Sequence, residues 1–403
     1  MSRYRLLPSP IQEAVLRGHC AHARYVWNLA VEQHQHWHPG RASAPSYQEQ
    51  CRQLTQARAG YAWLAAGSVT VQQQALRDFS QAMAAFFDPG KPAGRPSWRK
   101  AGRDEGFRIV GRGTQWEVRR VSRKVGQVRV PKAGWVRFRW SRPVPAGVVS
   151  YRVTMDRAGR WHVAFAAIPE PIPAPGNGEA VGVDRGVSVS AALSTGELLH
   201  APGMTVRERQ RLRRLERKLA RARRGSERRA RLKHAIARLR ARETDRRKDW
   251  AEKASTDLAR RFDLIRVENL KVSENLKVSK MTRSAKGTRA DPGRNVRAKA
   301  GLNRGILRSG WGLLARRLEE KAPGRVEKVE PAFTSQRCSA CGQVDPKARK
   351  SQAAFQCTAC GYACHADVNA AINIAAGHAV TARGGDGAAR PTNREPQLLA
   401  SRT

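Results

Sequence analysis

Two Cys-x-x-Cys pairs constrain this chain more than any other feature: Cys338/Cys341 in RCSACG and Cys357/Cys360 in QCTACG, fifteen residues apart. Each short turn points two thiolates at one ion, and two such turns complete a tetrahedral zinc site. Gly342 and Gly361 follow each knuckle and let the chain curl away behind it. Thiolates fill all four positions and leave none for water, so the predicted Zn²⁺ is structural. Of the other cysteines, Cys364 is a spare, and Cys20 and Cys51 read as core residues. MSRYRLLPSP lacks the apolar core of a signal peptide. Reduced thiols and a cytoplasmic location are therefore expected.

Charge sets the second constraint. Lys and Arg number 76 against 33 Asp and Glu, a formal net charge of +43. Such an excess implies a polyanionic partner, because phosphate contacts need basic side chains. A membrane surface is the rival polyanion, but no segment has the apolar length of a spanning helix, and the basic helices are too polar for shallow insertion. Nucleic acid is the expected partner, with no membrane. The excess concentrates in residues 206–248 and again in 271–299. There it is too one-sided for salt-bridge lacing, although two solvated helices remain the plain alternative. No G-x-x-x-x-G-K-[ST] occurs, so nucleotide hydrolysis has no support.

At 403 residues the chain exceeds one compact core and reads as several modules. Residues 1–10 read as the first strand of a small β-barrel. A helical recognition region follows over 11–100, where Ile11, Val15, Val26 and Leu29 fall near one stripe that His19 and His22 interrupt. Ser68 stands as a cap before a second run carrying Val69, Leu76, Phe79 and Met83. Residues 101–170 are rich in strand formers, with Gly and Pro between the runs, and read as the rest of the barrel. After a Pro/Gly linker at 169–180, a third module spans 180–334 and includes a basic helical hairpin over 206–262. The cysteine region takes 335–362, an alanine-rich helix 363–377, and the remainder to 403 reads as a disordered tail. Residues 271–301 read as a polar loop, and the segment after it as one helix.

Three carboxylates carry the chemical interest. Asp184 sits in the apolar strand VGVDRG, Glu268 ends the strand LIRVE, and Asp367 starts the helix DVNAAINI. Singly, each has an ordinary reading as a turn residue, a strand end and a helix N-cap. Converging at strand ends of one αβ module, they would form a hard oxygen site for Mg²⁺. His34, His36 and His38 invite a metal reading, but only His34 and His38 share a helix face. Tyr25, Trp27, Trp37, Tyr61, Trp63 and Trp98 could stack on bases, with core packing the alternative.

The order GVDRGV, VENL, TSQRCSACG, FQCTACG and DVNAAINI, with GWGLLARRLEEKA leading into VEKVEPAF, resembles TnpB-type nucleases of insertion sequences, relatives of compact type V CRISPR effectors. The resemblance covers residues 180–377 and is looser before that. It implies a multi-domain α/β chain with a RuvC-like module of RNase H fold, a zinc ribbon inserted before its last helix, and a wedge-like barrel. It further implies Asp184, Glu268 and Asp367 as catalytic ligands of two Mg²⁺ ions, and Cys338, Cys341, Cys357 and Cys360 as zinc ligands. The implied activity is RNA-guided cleavage of DNA, with guide RNA and target DNA as partners. The family often carries an apolar residue at the position of Arg185 and a basic one at that of Ala366. A guided repressor without cleavage and a DNA-binding transposition factor stay as alternatives.

Overall fold

The structure, a computed structural model, describes residues 2–36, 44–90, 93–103, 105–111, 116–167, 170–269 and 296–377. The chain divides into two compact units, one of Met1–Pro171 with Pro202–Trp250, the other of Ile172–Ala201 with Ala251–Thr403.

In the first unit, β1 (Ser2–Leu7) leads into α1 (Pro10–Gln35). Ser9 and Gln12 form a reciprocal capping box at its start, with Pro10 in the first turn. The buried face of α1 includes Leu16, His19, Cys20, Ala23, Val26 and Trp27, whereas Ile11 is 81% exposed. Leu29 is exposed too, so of the expected stripe only Val26 is fully buried, and His19 lies on the buried face rather than interrupting it. Its Nε2 lies 2.8 Å from the Pro131 carbonyl, which satisfies the buried ring. Helices α2 (Tyr47–Gly60), α3 (Ala62–Ala65) and α4 (Val69–Phe87) follow, and Leu76 and Phe79 of α4 are buried. Ser68 occupies the N-cap of α4 without a side-chain cap bond.

Strands β2 (Gly106–Val110), β3 (Val118–Arg120), β4 (Val125–Val130), β5 (Gly134–Arg139), β6 (Ser150–Met155) and β7 (Trp161–Ala166) join β1 in one sheet of order β2-β6-β7-β1-β5-β4-β3. β1 holds the halves together, pairing with β7 through Ser2–Arg5 and with β5 through Leu6 and Leu7. The ring of Tyr4 meets that of Phe138 edge-on at 5.4 Å and that of Phe165 at 5.5 Å, the arrangement that ring quadrupoles favour. The expected β-barrel is corrected: β2 and β3 do not pair with each other, so the sheet is open. Strand-forming composition predicts strands but not closure. Edge strand β2 packs instead on α1 and α4, which cover it.

The basic hairpin consists of α5 (Val206–Arg221) and α6 (Glu227–Arg261). Thr205 caps α5 through a reciprocal box with Glu208, and Arg246 of α6 pairs with that glutamate. Of the leucine and isoleucine faces that spacing predicts on these two helices, Ile236 and Leu239 of α6 are buried and Leu232 half-buried, whereas Leu212, Leu215 and Leu219 of α5 are only half-buried.

The second unit is built on a five-stranded sheet of order β10-β9-β8-β11-β12. β8 (Ala180–Asp184), β9 (Ala191–Leu193) and β10 (Leu198–Leu199) form an antiparallel meander. β11 (Leu264–Glu268) pairs parallel with β8 and with β12 (Val326–Val329). Val181, Val183, Ile265 and Val267 are all buried and, by their register, share one face of the sheet. The segment after 295 is not one loop and one helix: α7 (Val296–Ser309) starts within the stretch read as loop. Gly310, at φ 78°, separates it from α8 (Trp311–Lys321). Glycine adopts such a left-handed turn without strain. The rest of the loop expectation, 271–295, and the tail, 378–403, lie outside the described residues. The cysteine region carries β13 (Ala354–Gln356) and β14 (Ala363–His365), and α9 (Ala366–Ala375) follows. Among the described residues no helix is long and apolar enough to cross a membrane.

Candidate metal centre and carboxylate site

The two Cys-x-x-Cys turns repeat one backbone pattern. Cys338 N donates to Gln343 O and Cys357 N to Tyr362 O, both at 2.8 Å. Gly342 N returns to Cys338 O at 2.9 Å and Gly361 N to Cys357 O at 3.2 Å. Gly342 has φ 78° and Gly361 φ 73°, where a Cβ would strain the turn. The pattern brings the sulfur atoms of Cys338, Cys341, Cys357 and Cys360 within 4.8 Å of one another. The four thiols therefore form a group that could hold a metal such as zinc. Cys364 lies outside it, partly buried against the small core around Phe355. Of the three histidines, His34 packs on Phe79 at 5.0 Å and His36 is exposed beside Glu32, while His38, like Trp37, lies outside the described residues.

Asp184 and Glu268 end two neighbouring parallel strands, one step beyond the Val183–Val267 pair, and so share one edge of the sheet. Helix α9 crosses β8 closely: a Cβ on Gly182 would lie 2.0 Å from the Ala371 carbonyl. The same approach brings Asp367 Oδ2 within 3.9 Å of a Cβ built on Gly186, two residues past Asp184. Burial pushes the Asp184 carboxyl up to about 7, and the nearby Glu268 and Asp367 charges add to the rise. Burial raises Glu268 as well, opposed by the Thr334 hydroxyl and Arg185. Asp367 is 3% exposed and is not the helix cap: His365 caps α9, its Nδ1 accepting from Asp367 N at 3.2 Å. Asp367 Oδ1 accepts from Arg349 at 2.8 Å, while Oδ2 is buried with no hydrogen-bond partner among the described residues.

Two arginines of this site are not legible as such in the sequence. Arg185, 5% exposed, donates to the main-chain carbonyl of Glu268 and so ties the ends of β8 and β11 together. Arg349 comes from the segment between the knuckles, eighteen residues before its partner. Its only signal is its place in an otherwise polar stretch, which nothing distinguishes from a solvated charge. Of the aromatic residues, Trp27 is buried, with its Nε1 donating to Ser97 O and Arg99 over its ring. Tyr25, Tyr61, Trp63 and Trp98 are 45–61% exposed, so core packing does not account for them.

Comparison with known proteins fixes the lineage. Residues 162–279 match the OrfB_IS605 family model, described as a probable transposase, and residues 311–374 match the Cas12f1-like TNB domain. Residues 2–41 match the helix-turn-helix domain of the OrfB_IS605 family. There the described chain has a strand and one unbroken helix. A protein of Escherichia coli strain K12, provisionally named RNA-guided DNA endonuclease InsQ, is 34% identical over all of this chain and 98% of its own. The chain belongs to the TnpB-type family of insertion-sequence nucleases. A Streptomyces pristinaespiralis relative, provisionally named an RNA-guided DNA endonuclease, is 32% identical over all of this chain and 93% of its own. Among solved structures, Cas12f1 in a complex with sgRNA and target DNA covers 91% of this TnpB-type chain and 82% of its own, at 14% identity and a TM-score of 0.48.

Proposed function

We propose that this protein is a transposon-associated, RNA-guided DNA endonuclease in which Asp184, Glu268 and Asp367 hold Mg²⁺. The observation that carries the reading is the buried, unpartnered Asp367 Oδ2 beside two further buried carboxylates in a chain collinear with such relatives. The donors fit the ion: all three are hard anionic oxygens, and mutually repelling carboxylates gain from a cation between them. The sheet order, three antiparallel strands continued by two parallel ones, supports a RuvC-like module of RNase H fold. The four-cysteine group, with four soft thiolates, fits Zn²⁺ and serves as a strut.

When bound, paired Mg²⁺ ions supply a water of lowered pKa and a charge clamp for phosphodiester hydrolysis. The chain's own residues prepare that site. Burial of the carboxylates excludes bulk water, Arg185 fixes the spacing of the two strand ends, and Arg349 brings positive charge to the edge where a phosphate would approach. The basic surface serves guide RNA and its heteroduplex with target DNA, and base pairing supplies sequence recognition. This activity places the protein in the cytoplasm, on the nucleoid when bound to DNA.

Asp184→Ala is expected to abolish cleavage of guided target DNA while the variant still co-purifies with RNA. Cleavage at the wild-type rate would overturn the assignment of the site. A wild-type protein that co-purifies with no discrete RNA would overturn the guided reading. A repressor would be free to lose the carboxylates, and all three are in place.

A further inference from the structure

Thr334 sits four residues before the first zinc-site cysteine and is 2% exposed. Its Oγ1 donates to Glu268 Oε1 at 3.1 Å, with the Pro331 carbonyl as its other acceptor at 3.2 Å. The hydroxyl has one proton for these two acceptors, and the charged carboxylate is the stronger of them, so the bond goes to one oxygen of Glu268 and leaves the second for a cation. The backbone behind it is itself held in an unusual conformation, with Phe333 at φ 61°. A bulky residue keeps that left-handed setting only where its surroundings impose it.

Those surroundings come from α9. Asn373 Nδ2 donates to Thr334 O at 2.9 Å and to Arg337 O at 2.8 Å. One turn earlier, Asn369 Nδ2 donates to Arg337 O at 2.7 Å, and its Oδ1 accepts from Ser339 N at 2.9 Å. Asn369 and Asn373 are 0% and 4% exposed on a helix otherwise lined with Ala and Ile. Burying two amides is costly unless each is bonded. Here the bonds all go to the backbone on either side of Cys338. The helix that carries Asp367 therefore clamps the first cysteine knuckle and the threonine that fixes Glu268.

We infer that Thr334 is a positioning residue: held by Asn373, its hydroxyl orients Glu268 for the metal, so one hydrogen-bonded unit sets both Glu268 and Asp367. This rests on the carboxylate reading above, and the experiment separates the two. Mn²⁺ serves as a paramagnetic probe of the purified full-length protein, with free Mn²⁺ read by electron paramagnetic resonance and bound zinc measured in parallel. Thr334→Val keeps shape and removes the hydroxyl. It is expected to weaken Mn²⁺ binding by about ten- to a hundredfold, the usual effect of losing a partner of a metal ligand. Its zinc content should stay at the wild-type level, and Thr334→Ser should restore Mn²⁺ binding. Wild-type Mn²⁺ binding by Thr334→Val, no rescue by Thr334→Ser, or loss of zinc in Thr334→Val would each overturn the positioning role. Asp184→Ala is the control. If it binds Mn²⁺ as wild type does, the carboxylate site falls and the inference with it. If Asp184→Ala loses Mn²⁺ and Thr334→Val does not, only the inference falls.

Discussion

Gly182 shows how little room this site leaves. The added Cβ of an alanine would stand 2.0 Å from Ala371 O and 2.4 Å from Ala375 N, both backbone atoms of α9 that no rotamer change can move. The helix must shift, and Asp367 shifts with it. Gly182→Ala is expected to destabilise the second unit by about 3 kcal/mol, the upper end for overpacking a tight core. Cleavage should fall further than the loss of folded protein explains, because Asp184 and Asp367 lie on the two elements forced apart. Thermal melting compared with cleavage by the fraction still folded would test this, and a variant with an unchanged melting temperature and rate would refute the close-packing argument. Asp184 and Glu268 illustrate the limit of sequence at this scale. Singly, Asp184 reads as a turn residue and Glu268 as a strand end, and only the resemblance joins them. Their meeting depends on register between β8 and β11, which are about eighty residues apart in the chain.

At the level of elements, legibility follows the range of the interactions. The cysteine knuckles are local, each closed within six residues, and spacing alone locates them. The capping box of α5 is local as well, and its T-x-x-E signature stands in the sequence at Thr205–Glu208. The stripe on α1 is obscured because His19 is satisfied by a carbonyl 112 residues away. Asn369 and Asn373 do leave a trace, as polar residues four apart in an Ala/Ile-rich helix, a pattern that calls for buried partners. The Thr205 cap yields a separate prediction. Thr205→Ala removes the side-chain acceptor for Glu208 N but keeps the reciprocal bond, which the backbone N–H of residue 205 donates to Glu208, and is expected to cost about 1 kcal/mol. Circular dichroism melts should record a modest fall in stability with no change in cleavage at low temperature. An unchanged melt would mean that the Arg246–Glu208 pair and the backbone bond to Glu208 suffice to anchor the start of α5.

Across the whole molecule, the charge of +43 exceeds anything the described ion pairs use up. The hairpin makes this plain: Arg213, Arg214, Arg217 and Lys218 of α5 are all exposed. A folded chain gains nothing from holding such like charges together in water, where at close range each pair repels. A polyanion changes that balance, because every phosphate neutralised releases a counterion into solution. Three carboxylates at the proposed site repel phosphate, so the binding energy for a polyanion falls to the basic surface. If α5 grips single-stranded RNA, replacing these four residues with Gln should leave folding intact and weaken RNA binding. The plot of log affinity against log salt should flatten by about 0.7 for each phosphate contact removed. A variant whose affinity drops with no change in slope would show that α5 contributes shape rather than charge. A variant with wild-type affinity at low salt would move the RNA-binding surface elsewhere in the chain.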